Sequence, residues 1–201
     1  MLKTKIAVLV SGGGTNLQAL IDAQKSGIIK SGEISIVVSN KENAYALTRA
    51  KENGIKAVYI KKDNDFESNL IKALEDEKID IIVLAGFLVI LSEDFVKKYP
   101  KRIINIHPSL IPSFCGDGFY GLKVHEAVLK RGVKLTGATT HFVNEITDGG
   151  EIIMQKAVEV RENDTPEVLQ KRVMEEAEWR ILPLSVEKVS KSIIEQKGYN
   201  Q

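Results

Sequence analysis

VLVSGGGTNLQAL, residues 8–20, reads as the end of a strand, a glycine turn and the start of a helix in one run. A strand that passes into a helix through so tight a turn opens a βα unit, and further units of the same kind should follow it. They do. IAVLV, NLQALIDAQKSG, ISIVVSN, AYALTRAKENG, KAVYI, FESNLIKALEDEK and IDIIVLAG alternate strand-like runs with helical periods. Ile36 to Val38 and Ile81 to Ala85 are continuous apolar runs, the mark of strands covered on both faces. The expected fold is α/β and Rossmann-like, a mostly parallel twisted sheet with helices on both faces and right-handed crossovers. Gly27 and Gly54 stand just past the first two helical patterns, where a left-handed residue closes a helix.

A short helix opens at Ser92, with Glu93 and Asp94 in its first turn and Pro100 blocking its continuation. Arg102 to His107 supplies a fifth strand. The pattern then changes. KLTGATTHFV and EIIMQKAVEV are strand-like runs joined through NEITDGG, an antiparallel pair added at the C-terminal side of the sheet. Thr165-Pro166-Glu167 starts a helix whose apolar stripe is Leu169, Val173, Ala177 and Ile181, and Pro183 is expected to kink or break it.

With 201 residues and 43% hydrophobic composition, residues 1–201 are expected to form a single domain. The 28 Lys and Arg against 27 Asp and Glu leave no basic field to hold a nucleic-acid backbone, which favours a small-molecule partner. Cys115 is alone, so it makes no internal disulfide, and no metal-ligand spacing surrounds it. The apolar run of MLKTKIAVLV is too short for a signal peptide, and IIVLAGFLVIL from Ile81 is too short to span a bilayer. A cytoplasmic protein without metal or membrane partner is expected.

The glycine turn is the first candidate site. Glycine backbones approach a ligand closely, and the free N–H groups of a helix start favour an anion. A dinucleotide fingerprint would need glycine where Leu17 stands and an acid where Ser39-Asn40 is found. No Lys-Ser/Thr pair follows the glycines either, so between a bare turn and a phosphate site, Gly13, Gly14, Thr15 and Asn16 are read as holding a phosphomonoester. RIINIHP carries the second. Side chains alternate across a sheet, so Ile104 and Ile106 share one face while Asn105 and His107 share the other. Pro108 ends the pairing and places that pair at the carboxyl end of its strand, where open α/β sheets bind ligands. A carboxamide donor and an imidazole together stabilise an oxyanion and move a proton; alone, they equally fit a pair satisfying buried carbonyls. Asp148, in ITDGGE, is either a turn residue or a partner of His107 that favours its charged form. His125 and His141 read as a helix-surface and a strand residue, Cys115 lacks a third group to orient a Cys-His nucleophile, and Ser109 lacks a nucleophile elbow.

Taken together, SGGGTNLQAL, VLAGFLVIL, NIHPSLIPSF, GATTHFV, DGG and EEAEWRILP resemble the folate-dependent formyltransferases, and among them the phosphoribosylglycinamide formyltransferase family of purine synthesis. The resemblance runs from the first strand to the last helix. It implies catalytic roles for Asn105, His107 and Asp148, a substrate-phosphate loop at Gly13, Gly14, Thr15 and Asn16, and contact of Glu178 with the ribose or glycinamide end. It also implies a folate pocket lined by Leu88, Val89, Ile90, Leu91, Asn105, Asn144, Glu145, Ile146, Thr147 and Asp148. The co-substrate would be 10-formyltetrahydrofolate, the formyl acceptor glycinamide ribonucleotide, and the assembly a monomer or homodimer. Val89 stands where relatives often carry a basic residue, Trp179 where many have histidine, and Lys61 or Lys62 is left to meet the folate tail. Methionyl-tRNA formyltransferases add a second domain and formyltetrahydrofolate hydrolases an N-terminal one; neither is expected here.

Overall fold

A computed structural model describes residues 2–199; Met1, Asn200 and Gln201 of the expected domain lie outside them. Seven strands form one sheet in the order β3-β2-β1-β4-β5-β6-β7. β1 (Thr4–Val10), β2 (Gly32–Ser39), β3 (Lys56–Tyr59), β4 (Ile81–Leu84) and β5 (Ile103–His107) run parallel. β6 (Leu135–Phe142) and β7 (Ile152–Glu159) are antiparallel to their neighbours, as the change of pattern after the fifth strand predicts. Among the described residues no helix is long and apolar enough to cross a membrane.

The alternation of side chains sorts the core into two layers. Ile6, Val8, Val10, Val83, Ile104 and Ile106 meet α1 (Thr15–Lys25), α2 (Tyr45–Glu52), α5 (Leu122–Arg131), α6 (Pro166–Val173) and α7 (Trp179–Tyr199). Ala7, Leu9, Ile36, Val38, Ile82 and Ile103 meet α3 (Phe66–Asp76) and α4 (Glu93–Lys98). Gly27 and Gly54 adopt the left-handed conformation past α1 and α2, at φ +77° and +70°. Ser92 caps α4 by accepting from the Phe95 amide at 3.1 Å, which satisfies one of its orphan donors.

Two expectations are corrected. Pro183 lies inside a continuous α7; the irregularity falls one turn earlier, in a π-helical turn at Met174–Glu178. Pro183 is the fifth residue of α7, so its missing N–H removes one bond near the helix start and the helix continues past it. The stripe of Leu169, Val173, Ala177 and Ile181 stays buried across α6, the π-turn and α7. His125 is not a surface residue. It is fully buried on α5 between Val124 and Val128, and neither ring nitrogen has a hydrogen-bond partner.

The switch in strand order falls between β1 and β4, since β2 and β3 lie on one side of β1 and β4 onward on the other. The loops that follow these two strands are tied together: the Ser11 amide donates to the Gly86 carbonyl at 3.1 Å, and the Leu88 amide to Ser11 Oγ at 2.9 Å. Ligand crevices in open α/β sheets form at such points.

Candidate functional site

A cleft of about 590 Å³ opens outside the carboxyl ends of β4 and β5. That volume is within the range of small-molecule sites. Phe87 to Leu91 form one wall, Val143 to Asp148 another, and Asn105 and His107 the floor, with Asn16 and Glu178 also on the lining. Ile90 is 81% exposed and Ile146 67%, an apolar rim left open to solvent at the cleft's mouth.

Asp148 is the hub of the floor. One carboxylate oxygen, Oδ2, accepts from the Gly116 amide at 2.9 Å and lies 3.4 Å from His107 Nδ1; the other, Oδ1, lies 3.4 Å from both His141 Nε2 and Asn105 Nδ2. The turn that presents it uses the left-handed conformation, φ +55° at Asp148, which aspartate tolerates better than most residues. Burial raises the Asp148 carboxyl, but His141, the Gly116 amide and His107 outweigh it and hold it below its ordinary value. Asp148 is therefore a turn residue that also sits beside His107.

His107 is tied at both ends. Its Nε2 sits 2.9 Å from the Phe114 carbonyl, which only accepts, so Nε2 carries the hydrogen. In the neutral ring Nδ1 then points a lone pair at the Asp148 carboxylate, and protonation there converts a repulsive contact into an N–H···O bond. Burial pushes the His107 pKa below its ordinary value, and Asp148 raises it only in part. His107 is accordingly less ready to charge than a free histidine, even though Asp148 acts in the direction that favours its charged form.

His141, read from sequence as a plain strand residue, belongs to this cluster. It lies opposite Asn105 across the β5–β6 ladder, so the two share a face. Its Nδ1 donates to the Phe142 carbonyl at 2.8 Å, leaving Nε2 to accept from Asn105 Nδ2 at 3.1 Å in a neutral ring. That contact fixes the Asn105 amide with its nitrogen toward Asp148, since a flipped amide would set oxygen against carboxylate.

The glycine loop lies at the other end. Gly14 precedes α1 with φ +72°, and no side chain caps that helix start. Asn16 lines the main cleft, whereas Gly13 lines an adjoining recess with Ser11, Gly12 and Lys41 to Tyr45, and Thr15 is exposed. Asn16 and Glu178, far apart in sequence, meet through a 2.6 Å bond from Asn16 Nδ2 to Glu178 Oε2. Glu178 is 6% exposed, and burial pushes its carboxyl up to about 7, against the Asn16 bond that lowers it. It comes from the π-turn, a kind of local widening that often aims side chains into sites.

Leu88, Val89, Ile90 and Leu91 all line the cleft, as do Asn144, Glu145, Ile146, Thr147 and Asp148. Val89 is nearly buried and packs into the layer with Phe66 and Phe95, so it supplies wall rather than rim. Lys61 and Lys62 do not line the cleft. Cys115 donates to the Pro112 carbonyl at 3.3 Å, and burial and Asp148 raise its pKa, which makes it a poor nucleophile. Ser109 is used structurally, donating to the Ser113 carbonyl at 2.6 Å.

The chain matches the family model described as formyl transferase over residues 4–186. It is 42% identical over 180 residues to the chloroplastic phosphoribosylglycinamide formyltransferase of Arabidopsis thaliana, covering 87% of this chain and 61% of that protein. With the Haemophilus influenzae phosphoribosylglycinamide formyltransferase it shares 41% identity over 189 residues, 90% of this chain and 85% of that protein. The solved structure of glycinamide ribonucleotide transformylase 1 from Symbiobacterium toebii superposes with a TM-score of 0.87 at 37% identity, covering 94% of this chain and 89% of that one. The chain spans between 13% and 61% of the length of the longer plant and animal relatives. On the match across residues 4–186 and these likenesses, the chain belongs to the formyl transferase family, grouped with its phosphoribosylglycinamide formyltransferases.

Proposed function

We propose that the protein transfers the formyl group of 10-formyltetrahydrofolate to the amine of glycinamide ribonucleotide, giving N-formylglycinamide ribonucleotide in purine synthesis. One observation carries the reading: Asn105 and His107 each lie 3.4 Å from the Asp148 carboxylate, in a cleft that also reaches Asn16 at the start of α1. The ribonucleotide phosphate would sit on Gly13, Gly14, Thr15 and Asn16, with Glu178 at the ribose or glycinamide end. Folate would lie along Leu88 to Leu91 and Asn144 to Asp148, its apolar ring edges on the walls and its polar edges on their backbone groups.

In this reading the glycinamide nitrogen attacks the formyl carbon and a tetrahedral intermediate forms. Asn105 donates to its oxygen by giving up the weaker of its two contacts, the 3.4 Å one to Asp148. His107, once protonated at Nδ1, is held by Asp148 and puts positive charge beside the same oxygen. The proton lost by the attacking nitrogen goes to the departing folate nitrogen as its bond to the formyl carbon breaks, so the step balances. His141 keeps the Asn105 amide aimed throughout. The same reading carries a cytoplasmic enzyme of small molecules, monomeric or homodimeric.

The test is a transfer assay with both substrates, read by the change in folate absorbance. Turnover that needs the ribonucleotide supports the reading. Folate breakdown without it would make the protein a hydrolase, and ligand-induced stabilisation without turnover would make it a binding module.

A further inference from the structure

A loop that presents its amides to an anion must turn its carbonyls the other way, and those carbonyls need donors behind the loop. Here the donors come from α2. The Ala46 amide donates to the Gly12 carbonyl at 3.1 Å, and Arg49 Nε donates to the Gly13 carbonyl at 2.8 Å. Arg49 Nη1 reaches on to Gln18 Oε1 on α1 at 3.1 Å, and the guanidinium stacks over the Tyr45 ring at 4.9 Å from its centre. Gly14 completes the joint: a Cβ there would stand 2.6 Å from Ala46 Cβ, so α2 packs directly on the loop's backbone.

We infer that Arg49 is a positioning residue for the phosphate loop, its guanidinium bridging the Gly13 carbonyl and Gln18 so that the amides of residues 13–16 stay aimed at a phosphomonoester. The inference rests on the proposed ribonucleotide reading. An arginine suits the task because Nε and Nη1 are fixed in one plane and satisfy two acceptors at once, while a lysine ammonium reaches them one at a time. A charged donor on a carbonyl is also stronger than a neutral one, and it adds positive charge behind the anion site. Arg49 does not line the main cleft and touches no residue of the catalytic floor.

The experiment compares wild type, Arg49→Lys and Arg49→Met in the transfer assay and in binding of glycinamide ribonucleotide and its dephosphorylated riboside. Thermal melts in the presence of folate check that each variant is folded. Arg49→Met is expected to raise the KM and Kd for the ribonucleotide by about tenfold or more, the usual size of a lost hydrogen bond to a charged group. Arg49→Lys should fall between. The loss should lie in KM rather than kcat, and riboside affinity and the KM for folate should not move. An equal loss for ribonucleotide and riboside, or no loss for either, overturns the inference. If wild type itself shows no preference for the phosphorylated substrate, the ribonucleotide reading fails instead, so the two failures are told apart.

Discussion

Replacing Glu178 by glutamine should stabilise the protein at pH 8 and leave it nearly unchanged at pH 4.5. Glu178 is buried, its carboxylate accepts from the Asn16 amide at 2.6 Å, and its carboxyl is pushed from 4.5 up to about 7. A carboxyl whose folded pKa is raised favours the fold fully below its unfolded value, and that contribution is lost as pH climbs through the folded value. Between pH 4.5 and 7 the wild type therefore loses stability that a glutamine does not lose. At 1.36 kcal/mol per unit, a shift from 4.5 to about 7 amounts to about 3 kcal/mol above pH 8. Glutamine keeps a carbonyl to accept from Asn16 Nδ2, so the packing change is small. For a chain of this size, the difference corresponds to a gain of roughly 6–12 °C in Tm at pH 8. Paired thermal melts of wild type and Glu178→Gln across pH 4.5 to 8 read it directly. A difference that does not vary with pH, or a glutamine variant less stable at pH 8, would refute the reasoning.

The floor of the cleft gives three further outcomes. His107→Ala should lower kcat by at least about a hundredfold while ribonucleotide affinity changes little, measured by steady-state kinetics and calorimetry; equal loss of both would make His107 structural. Asp148→Asn should lower the His107 pKa further, because the neighbouring charge that favours the imidazolium is gone, and an NMR titration reads the direction. His141→Leu should destabilise the protein by about 1–3 kcal/mol in chemical denaturation and reduce kcat, since the Asn105 amide loses its 3.1 Å acceptor. At the other end of the cleft, Gly14→Ala should destabilise by about 1–3 kcal/mol, as φ +72° and the close approach of Ala46 both oppose a side chain.

The sheet was legible because burial on both faces leaves continuous apolar runs, and the turn before α1 because glycines interrupt a strand-to-helix passage. Asn105 and His107 could be placed on one face from alternation alone, and Ile104 and Ile106 do pack in the opposite layer. His141 was not legible as a member of the cluster. Its place opposite Asn105 depends on the β5–β6 register, which no local pattern carries. The burial of His125 has a sequence signal: Val124, His125 and Val128 fall at spacings that share one helix face, and all three are buried. The π-turn that delivers Glu178 to Asn16 has no sequence signature of its own, and it ends upstream of Pro183, the residue whose chemistry predicts an irregularity.

In the proposed reaction the cleft moves a formyl carbon from a folate nitrogen to a glycinamide nitrogen with Asn105, His107 and Asp148 at the reacting centre. Following a ¹³C-labelled formyl group by NMR, in wild type and in His107→Ala, tests it most directly. The label is expected on the glycinamide nitrogen with wild type alone. Label released as formate, or transfer that proceeds equally well without His107, would contradict it.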